Sequence, residues 1–213
     1  FLNKDYGYRL HSKISHKKID GITGYDYMHD KIIFKLQQKK IHKISKNNHI
    51  PLEKCELNHL HHSPYENSFV FIYRTKYYKG FSELYEYNYR KDSLIKLYSG
   101  SMISHYCWIN KNLILAYLKH QSESGFFEIN YRNKEEIHIS KNILDKTQDN
   151  TGDGHPSVSP DNKWVIYDSY PNKARHSHLY LIQNNIKNNS EKILVGKFLS
   201  PLKFNGYNRC DLH

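Results

Sequence analysis

Four histidines, His59, His105, His155 and His213, each stand just ahead of a short strand-like segment, at gaps of 46, 50 and 58 residues. Histidine can serve as acid, base or metal ligand near neutral pH, so a row of them at near-regular spacing is the first place to look for chemistry. Cys210 and His213 form a Cys-x-x-His, two ligands close enough to grip one ion, and His155 occupies the equivalent place one repeat earlier. His176 and His178 alternate within an Arg-His-Ser-His stretch; in a strand only one of them faces a given site, and His178 is the candidate. A Cys/His donor set suits zinc first, with manganese or calcium as the other divalent ions to consider. The plain alternative is a buried cysteine and a histidine that bonds the backbone. Asp153, between Gly152 and Gly154, reads first as a turn residue; it could also be a ligand or the carboxylate that orients a histidine.

The 213 residues suffice for one sizeable core or two small ones. Lys, Asn, Ile and Tyr are abundant and Ala is scarce, which disfavours a helical bundle and suits strands joined by polar turns. The formal charge of +11 could steer an anionic partner, or could simply reflect lysines that solvate turns and sheet edges. No basic run is dense enough to argue for nucleic acid. No stretch of about 18 apolar residues exists, so no membrane span is expected. The three cysteines give neither a paired framework nor a CxxC; Cys107 lies in an apolar strand and reads as a buried thiol. The sequence starts at Phe1 and stops in mid-motif at His213, which reads as a fragment or a processed piece.

These residues must be positioned by a repeat. In His59-Leu60-His61-His62-Ser63-Pro64 and in His155-Pro156-Ser157-Val158-Ser159-Pro160 the histidine precedes Ser-Pro by the same interval. A polar turn follows each, then an apolar strand, Phe69–Tyr73 in one copy and Trp164–Tyr167 in the other. After a loop both resume at a Leu-Tyr pair, Leu84-Tyr85 and Leu179-Tyr180, and both end on a short strand, Leu94–Leu97 and Lys192–Val195. A degenerate copy lies between them, with strands at His105–Trp108, Leu113–Tyr117, Phe126–Ile129 and Glu136–Ile139; another unit is read upstream, from Gly24–Met28 and Lys31–Lys35. Four strands per roughly 45 to 50 residues predict an all-β chain, a β-propeller of four-stranded blades. The blades fall at about 17–55, 56–100, 101–147 and 151–196, with the next starting near 205. A propeller typically has about four to eight blades, so the expectation is a single incomplete propeller: an open arc of a larger ring, truncated at both ends. A β-sandwich is the second choice.

Ser159-Pro160-Asp161-Asn162-Lys163-Trp164, followed by Leu179-Tyr180, resembles the repeat of TolB-type, WD40-like bacterial propellers, with Asn162 where that repeat has Gly. Asn also accepts positive φ. Asn58-His59-Leu60, Ser104-His105-Tyr106, Gly152–Ser157 and Arg209–His213, in this order, resemble the β-propeller polysaccharide lyases, the oligogalacturonate and ulvan lyases, over residues of about 56–213. That resemblance implies a cleft that binds an acidic polysaccharide or oligosaccharide and cleaves it beside a uronic acid by β-elimination, often with a metal ion. It implies His59 and His105 at the substrate end, with Tyr106 as a weaker catalytic candidate, and a metal cluster of Cys210, His213 and His155. The basic residue expected after the third inner strand has two candidates, Lys119 and Arg132. A glycan substrate favours a periplasmic or secreted setting, with the cytoplasm as the alternative; an oligomeric state is not legible.

The chemistry is coherent. A base removes the proton beside the uronate carboxylate, and a cation or strong donors neutralise that carboxylate. Tyrosine needs nearby positive charge to act as a base. Each histidine also has a structural reading, hydrogen-bonding neighbouring loops at a strand entrance. His61 and His62 read as surface or loop residues and Trp108 and Trp164 as core packing, while among the 19 tyrosines a few could stack on sugars. The competing function is a non-catalytic propeller that binds glycan or protein; a TolB-like envelope scaffold ranks below it.

Overall fold

A computed structural model describes residues 21–75, 80–133, 136–141, 153–184 and 192–204. The chain is all-β. It divides into two compact units, Phe1–Ser101 and Met102–His213, each built from antiparallel sheets.

In the first unit, β1 (Gly21–Asp26) and β2 (Lys31–Gln37) form a hairpin, and β3 (Cys55–His62), β4 (Ser68–Thr75), β5 (Ser82–Asn88) and β6 (Ser93–Gly100) form a four-stranded meander. Apolar runs bounded by Asn, Asp, Ser and Pro set these strands. The hairpin and the meander share one core: Ile22 and Leu36 from the first, with Phe69, Phe71, Tyr73, Tyr85 and Tyr87 from the second. After β2 the chain turns into a short helix, α1 (Gln38–Ile44), rather than a third strand. Neither a side-chain cap nor a first-turn acid supports α1. Ile41, fully buried in the core, and a 2.6 Å bond between His42 Nδ1 and the Tyr73 hydroxyl hold it in place.

The second unit contains two meanders. One is β7 (Ile103–Asn110), β8 (Leu113–His120), β9 (Glu123–Asn133) and β10 (Glu136–Lys141); the other is β11 (Pro156–Val158), β12 (Trp164–Asp168), β13 (His176–Gln183) and β14 (Lys192–Leu199). They pack face to face. Cys107, Ile109, Leu115 and Phe126 of the first interlock with Val165, Tyr167, Tyr180 and Ile182 of the second. Tyr167 stacks on Tyr180 and meets Phe126 edge-on.

The two strongest sequence repeats share a structural irregularity. Pairing of the third strand with the fourth slips by one residue at Leu84/Tyr85 in one sheet and at Leu179/Tyr180 in the other, so both Leu-Tyr pairs mark a β-bulge. The Ser-Pro-Asp-Asn turn forms as its residue types require. Ser159 Oγ accepts from Trp164 N at 3.0 Å, Asp161 accepts from Ser159 Oγ and Lys163 N, and Asn162 takes a φ of 57°.

Candidate functional site

In the second unit His105 and His155 come together. His105 is the third residue of β7, and His155 immediately precedes β11. Their rings lie 3.8 Å apart between centroids, tilted by 49°. Alternation along β7 puts His105 on the face that also carries Cys107 and Ile109, and this is the face packed against the other sheet. The stacking of the two sheets therefore brings the histidines into contact.

Each histidine has a carboxylate behind it. His105 Nδ1 lies 3.0 Å from Asp153 Oδ1, and His155 Nδ1 lies 2.8 Å from Asp168 Oδ1. Asp168 also accepts the backbone N–H of His155 at 2.7 Å. Both pairs are largely shielded from water, with side-chain exposures of 10% and 22% for the first and 15% and 6% for the second. Asp153, in its glycine-flanked stretch, is thus more than a turn residue. Gly154 permits the arrangement: a Cβ there would sit 1.9 Å from the backbone oxygen of Asp168.

Tyr170 completes the cluster. Its hydroxyl is 3.5 Å from His105 Nε2, at the outer limit of a hydrogen bond, and its ring lies 6.0 Å from that of His105 and 5.7 Å from that of His155. Asp168 and Tyr170 are absent from the sequence reading. The available signal was a strand that ends in Asp-Ser-Tyr ahead of Pro171, since residues at strand ends and in the following loops are where sites concentrate.

The other expected residues are distributed as follows. Alternation places Tyr106 on the opposite face of β7 from His105, buried, so it does not join the pair. Lys119, exposed on β8, lies on the His105 face and at the His105 end of the sheet, with its backbone N–H bonded to Met102 O. Arg132 falls at the far end of β9, about six residues past the level of His105, or roughly 20 Å along the strand; its side chain is outside the described set. Lys119 is therefore the better placed of the two bases.

His178 lies on β13, its ring stacked on Tyr180 at 5.8 Å and its backbone N–H bonded to Ser169 Oγ. Cys210 and His213 lie outside the described residues. Among the described residues, no three His, Cys, Asp or Glu side chains form a group that could hold a metal ion.

His59 belongs to the first unit. It sits at a bulge inside β3, between Asn58 and His61, with a φ of 49°, an uncommon conformation that histidine tolerates better than most side chains and that re-aims its ring. Arg74 on β4 stands directly opposite Glu56 on β3 and pairs with it (Nε to Oε1, 3.2 Å). His61 and His62 are exposed, Trp108 is buried and Trp164 is half-buried. Burial pushes the Cys107 thiol up to about 12, which makes it an inert core residue.

No helix among the described residues is long and apolar enough to cross a membrane. No family model matches the chain, and no curated protein matches it in sequence.

Proposed function

We propose that the chain is an arc of a β-propeller whose blades are its four-stranded sheets, and that it cleaves uronic-acid-containing polysaccharide or oligosaccharide by β-elimination. Support for the propeller comes from the uncrossed four-strand meanders, the face-to-face packing within each unit, and the bulge shared by the Leu-Tyr pairs. The observation that carries the catalytic reading is the His105–His155 contact, with a carboxylate behind each ring and Tyr170 beside both.

In this reading, one histidine accepts the proton from the carbon beside the uronate carboxylate. The electron pair of the broken C–H bond becomes the new C=C bond, and the C–O bond on the far side breaks. Its oxygen leaves with a proton from a neighbouring acid group. Lys119, at the same end of its sheet, supplies positive charge for the anionic chain. His59, in the first unit, is a substrate-side candidate on the resemblance alone.

A divalent ion, zinc first, fits His155 because Asp168 stands behind its ring in the manner of a carboxylate that orients a metal-bound histidine; Cys210, His213 and His178 are the further candidate ligands. When bound, it would neutralise the uronate carboxylate and so ease loss of the adjacent proton.

A second reading is favoured by the same bonds. The His105–Asp153 contact ties β7 to the segment that leads into β11, as a purely structural bridge in a non-catalytic, glycan- or protein-binding propeller would. Incubating the purified protein with a panel of acidic polysaccharides, while following the ultraviolet absorbance of unsaturated uronates, separates the two. A rise with one or more glycans is expected. Binding without any rise would leave the non-catalytic reading.

A further inference from the structure

A carboxylate accepts hydrogen bonds and has none to donate. The ring nitrogen that faces it must therefore carry the proton. In both histidines that nitrogen is Nδ1, 3.0 Å from Asp153 in His105 and 2.8 Å from Asp168 in His155. In a neutral imidazole the other nitrogen then presents a lone pair. An unattached histidine side chain favours the opposite tautomer, with its proton on Nε2, so the carboxylates reverse the intrinsic preference of both rings. We propose that Asp153 and Asp168 are positioning residues that lock His105 and His155 in the Nδ1–H tautomer, so that Nε2 of His105 is the proton-accepting atom of the site and Nε2 of His155 is the atom that would hold the divalent ion.

The two carboxylates do this in different ways. Asp168, at the end of β12 and 5% exposed, holds His155 twice, through the ring at 2.8 Å and through its backbone N–H at 2.7 Å. Ring and main chain are thus fixed by one oxygen. Asp153 acts across the interface between the two sheets, reaching His105 on β7 from two residues before His155. The short segment Asp153-Gly154-His155 therefore supplies the carboxylate for one histidine and is itself the second histidine, so both tautomers depend on how it is seated. The Tyr170 hydroxyl lies 3.5 Å from His105 Nε2, the nitrogen that carries the lone pair in this tautomer.

What the Nε2 atoms accept rests on the proposed elimination; the tautomers do not. Long-range proton–nitrogen NMR correlation on the 15N-labelled protein reads them directly, with His105→Gln and His155→Gln identifying the signals. Both rings are expected to show the Nδ1–H pattern. Asp153→Ala should move His105 toward Nε2–H and leave His155 as it was, and Asp153→Glu should restore the native pattern in part. On a glycan that the wild type cleaves, Asp153→Ala should lower kcat about tenfold or more while KM stays within about twofold. An Nε2–H pattern for either histidine in the wild type would overturn the proposal, as would an unchanged His105 in Asp153→Ala. The wild-type spectrum decides the matter even if the variant fails to fold. Native tautomers in a protein that cleaves no glycan would uphold the positioning role and sink the elimination.

Discussion

Replacing Gly154 by alanine tests the link between backbone packing and the site. The new Cβ would stand 1.9 Å from Asp168 O, whereas ordinary contact begins near 3.4 Å. The segment must therefore retreat by the difference, 3.4 − 1.9 = 1.5 Å. The bonds it carries have no such slack. His155 N–H and Nδ1 reach Asp168 at 2.7 and 2.8 Å, and Asp153 reaches His105 at 3.0 Å. Lengthening any of them by 1.5 Å takes it beyond hydrogen-bonding range. One lost bond to a charged group costs roughly 1.5 to 3 kcal/mol, and forced repacking about 1 to 3 kcal/mol more. A net loss of about 3 kcal/mol corresponds to a fall in Tm of roughly 6 to 12 °C for a chain of this size. Thermal unfolding followed by circular dichroism measures the loss, and the histidine NMR signals show whether both rings have left their carboxylates. A variant that melts within about 2 °C of the wild type, with unchanged His105 and His155 signals, would show that the close approach of Gly154 to Asp168 does not hold the two histidines in place.

Other consequences follow from the same packing. The Cys107 thiol, pushed by burial from an ordinary value of 9.0 up to about 12, stays protonated in the fold while the unfolded chain ionises. Its contribution to stability is thus complete below pH 9.0 and is lost as pH rises toward 12; native protein should resist alkylation there at pH 8, and rapid labelling of Cys107 without denaturant would contradict its placement. Glu83 is fully buried and accepts from the Tyr85 hydroxyl at 2.7 Å, Ser99 Oγ at 3.2 Å and Lys46 N at 3.3 Å, with Lys96 Nζ 3.7 Å away. Glu83→Ala should cost about 3 to 5 kcal/mol in urea unfolding by stranding those donors, and a loss under about 1 kcal/mol would show that the network relaxes. Ser159→Ala removes the acceptor of Trp164 N and should cost about 1 kcal/mol, read in the same titration; no change would mean that the turn is held by Asp161 alone.

The strands were legible because an apolar run between turn residues has few alternatives. Phe69–Tyr73 falls within β4, Leu113–Tyr117 within β8 and Trp164–Tyr167 within β12. The Leu-Tyr pairs, noticed only as a recurring dipeptide, turn out to be bulges, a feature that depends on the register of two strands and that neither strand encodes alone. The helix α1 was not legible. Gln37 gives it no cap, and what holds it, Ile41 in the core and the His42–Tyr73 bond, comes from residues that meet only after folding. The histidine period identified His105 and His155 but kept them apart, as one substrate residue and one metal ligand. Their contact arises from the stacking of two sheets, and the carboxylates behind them sit in a glycine-flanked segment and at a strand end, outside any spacing pattern. Alternation, in contrast, is a local rule, and it separates Tyr106 from His105 as soon as β7 is known to be a strand.

The proposed cleavage requires His105 and His155 to work as one catalytic unit. The direct measurement is the initial rate of unsaturated uronate formation by the wild type, His105→Gln, His155→Gln and the double variant, on a glycan identified from the acidic panel. If the pair acts as a unit, each single variant should lose nearly all activity and the double variant little more, because groups that act together are strongly non-additive. Near wild-type rates in either single variant, or losses that simply multiply in the double, would contradict the account.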